Sequence, residues 1–208
     1  MKRDGLWVVK LGGSLANSSH LIHWLQALSQ TNVVIVPGGG PFADTVRVAQ
    51  TRWHFDEHTA HHMAIIAMQQ FGRMLVGLCP KLKATTRLEA LPQSCGNSKV
   101  WLPNPEVLDQ AGIPATWDIS SDSLAAWLAG EINAQHLLLV KSLDELATMV
   151  GAEGEIGFIQ AANSGLVDAA FGRYAMNQTF QSWLCGPQSH DNFIRGLTKP
   201  SSVFHLLH

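Results

Sequence analysis

Apolar positions fall into short continuous runs that alternate with stretches of helical period. Residues 6–11 (LWVVKL) are an apolar, β-branched run stopped by Gly12 and Gly13, and residues 32–40 (NVVIVPGGG) repeat the pattern. Such runs mark buried strands. Residues 17–30 open with Asn17 and Ser18 as candidate caps. They then place Leu21, Leu25 and Leu28 at helical spacing, with Trp24 beside them. Residues 41–52 and 56–78 also read as helices, whereas 80–98 is polar and broken. Further along, 99–103 reads as a short strand and 118–132 as a serine-rich turn entering a helix with Leu124, Trp127 and Leu128 on one face. Residues 134–142 form the next buried strand, 165–176 a loop entering a helix, and 180–186 and 201–207 closing strands. Strand, glycine turn and helix in repeated order predict an α/β fold, a mainly parallel sheet between two helix layers. No internal repeat or linker divides the chain, so one domain over 1–208 is expected.

Composition narrows the function. With 46% hydrophobic and 14% charged residues among 208, the chain is globular, and a formal net charge of −2 gives no general attraction for nucleic acid or an anionic membrane. Cys79, Cys95 and Cys185 form no CxxC pair, which disfavours a disulfide framework or a cysteine zinc site and suits a reducing compartment. Lys2 and Arg3 precede an apolar run as in a signal peptide. Lys10 interrupts that run early and no small-residue cleavage pattern follows, so a cytoplasmic location is expected. Trp24, Trp127 and Trp183 are expected to fill the core or an interface.

Lys10 is the chemical oddity. Desolvating an ammonium at the end of a buried strand is costly unless it meets a partner. Beside a glycine turn, that partner is an anion. The two strand–glycine–helix junctions, Gly12-Gly13-Ser14 and Gly38-Gly39-Gly40, let backbone N–H groups approach an oxyanion, and the following helix adds its dipole. Neither is a Walker A loop or a dinucleotide GxGxxG, and the glycines of 151–157 lack a strand before them and read as a turn. In "ISSDSLAAWLA", Ser120 or Ser121 can cap a helix with Asp122 in its first turn. Alternatively, Asp122 stands beside Lys10 and fixes it by a charge-assisted hydrogen bond.

Taken in order, "VVKLGGS", "VPGGGPFAD", "ISSDSLAAWLA" and "AQHLLLVKSLDEL" resemble the amino acid kinase family along nearly the whole chain. The resemblance implies a three-layer αβα sandwich and transfer of the γ-phosphoryl of ATP, with Mg2+, to an acyl or phosphoryl oxygen. Lys10 then neutralises the transferring phosphoryl and Asp122 orients the catalytic cations. Gly12, Gly13 and Ser14 form the ATP phosphate loop, and Lys141, Ser142 and Asp144 flank the nucleotide. Gly38, Gly39, Gly40, Ser120 and Ser121 hold the acceptor. Many members carry a second catalytic lysine near the C-terminal third, where this chain has Arg173 in "GLVDAAFGRYA". Arg173 is therefore the expected second cation.

Short length, "PGGGPFAD", "SSDSLA" and "GLVDAAF" point within the family to phosphorylation of a small phosphomonoester in methanofuran-type cofactor biosynthesis. A carboxylate acceptor, or nucleotide or oxyanion binding without turnover, are the alternatives. If the acceptor also carries an amine, Trp53, Phe55, Asp56 and Glu57 are candidates to meet it. A homo-oligomer is expected. His54, His58, His61 and His62 cluster near a helix start, with His58 and His62 at i,i+4. The motif is not HExxH and no carboxylate or cysteine completes a set, so the histidines are assigned to substrate contact or an oligomer surface and no metal is expected.

Overall fold

A computed structural model describes residues 5–91, 97–141 and 155–208. Ser142, Leu143, Asp144 and Cys95 lie outside these, as does most of the 151–157 glycine stretch. The elements are β1 (Trp7–Leu11), α1 (His20–Leu28), β2 (Val34–Pro37), α2 (Gly40–Trp53), α3 (Glu57–Leu78), β3 (Lys83–Thr85), β4 (Lys99–Trp101) and α4 (Pro105–Gln110). They continue as α5 (Ser121–Glu131), β5 (His136–Val140), β6 (Glu155–Ile156), α6 (Phe158–Asn163), α7 (Phe171–Ala175), β7 (Gln181–Cys185), α8 (Phe193–Thr198) and β8 (His205–Leu207).

Among the described residues, eight strands form one sheet in the order β3-β4-β2-β1-β5-β7-β8-β6, parallel except for the β7–β8 pair. Alternation along the central strands builds two cores. Val8, Val34, Val36, Leu137 and Leu139 face α5, while Trp7, Val9, Leu11, Ile35, Leu138 and Val140 face α1. The three-layer α/β expectation holds. No helix among the described residues is long and apolar enough to cross a membrane.

Some elements depart from the reading. The α5 helix is buried almost all round, through Ser121, Asp122, Ser123, Leu124, Ala125, Ala126, Leu128 and Ala129, rather than on one face. Its small side chains let it sit close to both the sheet and its outer neighbours. Residues 13–17 form a 3-10 turn and α1 starts at His20, whose N–H is capped by the Ser18 hydroxyl at 3.2 Å. The edge strands β3 and β6 are three and two residues long, too short to show a period. In α4, Asn104 accepts from the Val107 N–H at 2.9 Å and Pro105 opens the helix, a start signal that a six-residue span does not advertise.

Candidate active site

Strand register brings the cations together. In the parallel β1–β5 pair Lys10 lies opposite Leu139. Residues two apart on a strand share a face, so Lys141 emerges on the same side as Lys10, the side covered by α5. Asp122, in the first turn of α5, meets both: Lys10 Nζ is 2.7 Å from Oδ1 and Lys141 Nζ 2.6 Å from Oδ2. These side chains are 6% (Lys10), 13% (Lys141) and 6% (Asp122) exposed. Burial alone would raise the Asp122 carboxyl, but the two ammonium groups outweigh it and bring it down to about 2. Burial and the like charge of Lys10 depress Lys141 to about 8, against the opposing pull of Asp122. Two cations on one carboxylate leave a buried excess of positive charge.

Arg173 does not join this group. It is exposed on α7, with its guanidinium 5.6 Å from the Tyr174 ring centre, because Phe171 and Ala175 take the buried face of that short helix. The second cation on Asp122 is Lys141, which the sequence reading placed with the nucleotide-flanking residues.

The two glycine turns touch backbone to backbone. A Cβ on Gly13 would lie 2.3 Å from the Gly40 nitrogen, and one on Gly38 would lie 2.4 Å from the Gly13 nitrogen. Any side chain there would force the turns apart. Gly40 also has φ +56°, which favours glycine. The amides of Gly12 and Gly38 are already spent, on Val140 O at 3.2 Å and Leu11 O at 2.8 Å. These two glycines therefore shape the turns rather than donate to an anion. A Cβ at Gly12 would stand 3.6 Å from Lys10 Nζ, so the lysine head lies against the first turn.

Asp168, unread in the sequence, organises the start of α5. One carboxylate oxygen accepts from the Ser120 N–H at 2.9 Å, the Ser120 hydroxyl at 2.7 Å and the Ser123 N–H at 3.0 Å, and the other accepts from the Ser123 hydroxyl. The Ser120 hydroxyl in turn accepts from the Asp122 N–H at 3.3 Å. A carboxylate from the loop before α7 thus supplies the cap that holds Asp122 in place.

Beside the turns lies a cavity of about 260 Å3, walled by α2, α3 and the start of α5. Gly13, Ser14, Gly39, Gly40, Ser120 and Ser121 line it; Gly12 and Gly38 do not. Its ionisable groups are Asp44, Arg47 and His61, and its apolar wall includes Ile65, Met68, Trp117 and Leu124. The Arg47 guanidinium lies 4.2 Å from the Trp117 ring centre, and the Trp117 N–H donates to Gln50 Oε1 at 2.7 Å. His61 is 4% exposed, its Nε2 has no hydrogen-bond partner, and burial lowers its pKa. Trp53, Phe55, Asp56 and Glu57 are not among the lining residues: Asp56 caps α3 through the Thr59 N–H at 2.7 Å, and Trp53 is exposed. Nor does the histidine cluster lack a carboxylate, since α4 brings Asp109 against His58 and His62.

No family model matches the chain. In fold it is similar to the uridylate kinase of Archaeoglobus fulgidus (TM-score 0.70, 17% identity, 97% of this chain and 99% of that one). It is also similar to the UMP kinase of Bacillus anthracis (TM-score 0.67, 15% identity, 97% and 93%). An aspartate kinase from Synechocystis shares the fold over 88% of this chain and 38% of its own (TM-score 0.63, 15% identity). The architecture is therefore that of the amino acid kinases, as the ordered motifs led us to expect. Among curated proteins, the [5-(aminomethyl)furan-3-yl]methyl phosphate kinase of Methanocaldococcus jannaschii is 27% identical over 143 residues. That match takes in 66% of this chain and 66% of the relative, just under two thirds of its length.

Proposed function

We propose that the protein transfers the γ-phosphoryl group of ATP to a small phosphomonoester held in the α2–α3–α5 cavity. The observation that carries this reading is the pair of buried ammonium groups on Asp122, set beside glycine turns that themselves line the cavity. An oxygen of the acceptor phosphate attacks the γ-phosphorus, the bond to the bridging oxygen of ADP breaks, and the acceptor leaves as a diphosphate. Such a transfer asks for positioning and charge stabilisation rather than covalent chemistry. Lys10 and Lys141 neutralise charge on the equatorial oxygens, and Asp122 holds both ammonium groups in place. Backbone N–H groups at the start of α2 face the acceptor anion. Asp122 is occupied by two lysines and Asp168 by four hydrogen bonds, so Mg2+ would be held by the nucleotide's own oxygens and neutralise them there.

Cavity size and chemistry favour a compact acceptor. About 260 Å3 is below the roughly 300–1,000 Å3 usual for drug-sized ligands, which suits a small ring better than a nucleoside monophosphate. Arg47 supplies a cation for a phosphate, while Asp44 and the unpaired His61 nitrogen supply partners for an amine. These features match the aminomethyl furan phosphate named for the M. jannaschii relative. The experiment is a mass-spectrometric product assay with ATP, Mg2+ and the furan phosphate, the furan alcohol, acetylglutamate or uridine monophosphate in turn. The diphosphate of the furan should form fastest and the alcohol should react poorly. Faster turnover of acetylglutamate or uridine monophosphate would overturn the acceptor, and ADP from none of them would overturn turnover on this panel.

A further inference from the structure

The N-terminal half of α3 carries a second constellation, separate from the lysine–aspartate group. His58 and His62 stand one helical turn apart with ring centres 4.1 Å from each other. Asp109 on α4 faces both: its Oδ2 is 2.9 Å from His62 Nε2 and 3.6 Å from His58 Nε2. A hydrogen bond accounts for the His62 contact. The His58 contact is too long for a good hydrogen bond and is an ion pair when that ring is protonated, so the two rings share one carboxylate.

Metal coordination would use all three groups at once. The three donor atoms lie within 4.8 Å of one another. In a tetrahedral site with metal–ligand bonds of about 2.0–2.2 Å, neighbouring donors sit ~3.3 Å apart, and the two separations to Asp109 bracket that value. We propose that His58, His62 and Asp109 bind a borderline divalent transition ion, zinc fitting the two-imidazole, one-carboxylate donor set best, with water in the open position. Side-chain exposures of 62% for His58, 25% for His62 and 39% for Asp109 leave an entry from solvent. The ion would clamp α4 to α3, the helix that also carries His61, Ile65 and Met68 into the cavity wall. This site is distinct from any Mg2+ arriving on ATP.

The test uses the full chain, freed of any affinity tag and stripped with EDTA. Zinc is titrated calorimetrically, and Co2+ serves as the visible-absorption probe. One equivalent of zinc should bind with a rise in the unfolding midpoint, and Co2+ should give a tetrahedral spectrum. Either His58→Ala or Asp109→Asn should weaken zinc by roughly tenfold or more, since loss of even an outer-shell partner costs that much. His58 is exposed, so its alanine variant should fold, which an unchanged metal-free unfolding midpoint would verify. A separate histidine group, with His20 Nδ1 3.0 Å from His190 Nε2 and the His23 ring stacked 5.0 Å from that of His190, provides the control. Wild-type affinity in both variants, loss of binding through His23→Ala instead, or no stoichiometric uptake would each overturn the assignment.

Discussion

Lys141 should impose an alkaline limit on nucleotide capture. Burial and the charge of Lys10 bring it from the ordinary 10.5 to about 8 in the unliganded protein. In the proposed reaction a triphosphate meets its protonated form. With a pKa near 8, the charged fraction falls from ~90% at pH 7 to ~10% at pH 9. The kcat/KM for ATP should therefore drop about tenfold between those values and continue downward with unit slope. Once ATP is bound, its negative charge raises the lysine again, so kcat should stay nearly flat over the same range. The assay is initial-rate kinetics at several ATP concentrations from pH 6.5 to 9.5.

Two variants test the origin of the limb. Lys141→Arg keeps its charge throughout, so its kcat/KM should lose the limb whatever its absolute rate. In Lys10→Met the like charge is gone, and the limb should move upward. A flat wild-type profile, or a limb near pH 8 that survives Lys141→Arg, would refute the reasoning. Stability should move in the opposite sense to capture. Unfolded chains keep this proton up to about 10.5 while the folded chain sheds it near 8. The folded state therefore gains as pH rises through that window, by about 3 kcal/mol if nothing else titrates.

If Lys10 neutralises the transferring phosphoryl as proposed, Lys10→Ala should lower kcat by roughly a hundredfold or more while circular dichroism stays native. Asp122→Asn leaves two buried ammonium groups without their counter-charge. It should cost about 3 kcal/mol or more in thermal unfolding, partly recovered by inorganic phosphate, together with most of the rate. His61→Phe fills a similar space without the nitrogen and should raise the acceptor KM about tenfold, leaving the KM for ATP unchanged. Asp168→Asn gives up a charged acceptor of four hydrogen bonds and should lower stability by about 2 kcal/mol and kcat more than KM.

The central strands were legible because burial on both faces leaves long apolar runs, ended at β1 and β2 by glycine or proline. Helices α2 and α3 were legible for a related reason, since 14 and 22 residues suffice to show a period. Their surroundings were not. Edge strands of two or three residues and the six-residue α4 and α6 carry too few positions for any pattern to emerge. Missing α4 had a chemical cost, because Asp109 rides on it, and so the carboxylate facing His58 and His62 stayed out of view 47 residues from His62 in sequence.

At the lysine–aspartate group, local sequence offered Asp122 as the partner of Lys10, and the second cation that meets it is Lys141 rather than the expected Arg173. The family resemblance points to Arg173 by its place in the C-terminal third, whereas Lys141 follows from strand parity. If β1 and β5 are parallel neighbours, a lysine two residues beyond the partner of Lys10 must leave the sheet on the same side. Their adjacency is the one fact that local pattern does not supply, since β2 and β4 are also parallel strands of the same sheet. Given that adjacency, the rest is forced. Two ammonium groups on one face of a buried sheet need a carboxylate from the layer above, and Asp122 is in the first turn of the helix that covers them. That turn must then be held rigidly, which is the work Asp168 does through Ser120 and Ser123. Register pairs the lysines, the lysines need the carboxylate and the carboxylate needs its cap, so four residues scattered from 10 to 168 form one group.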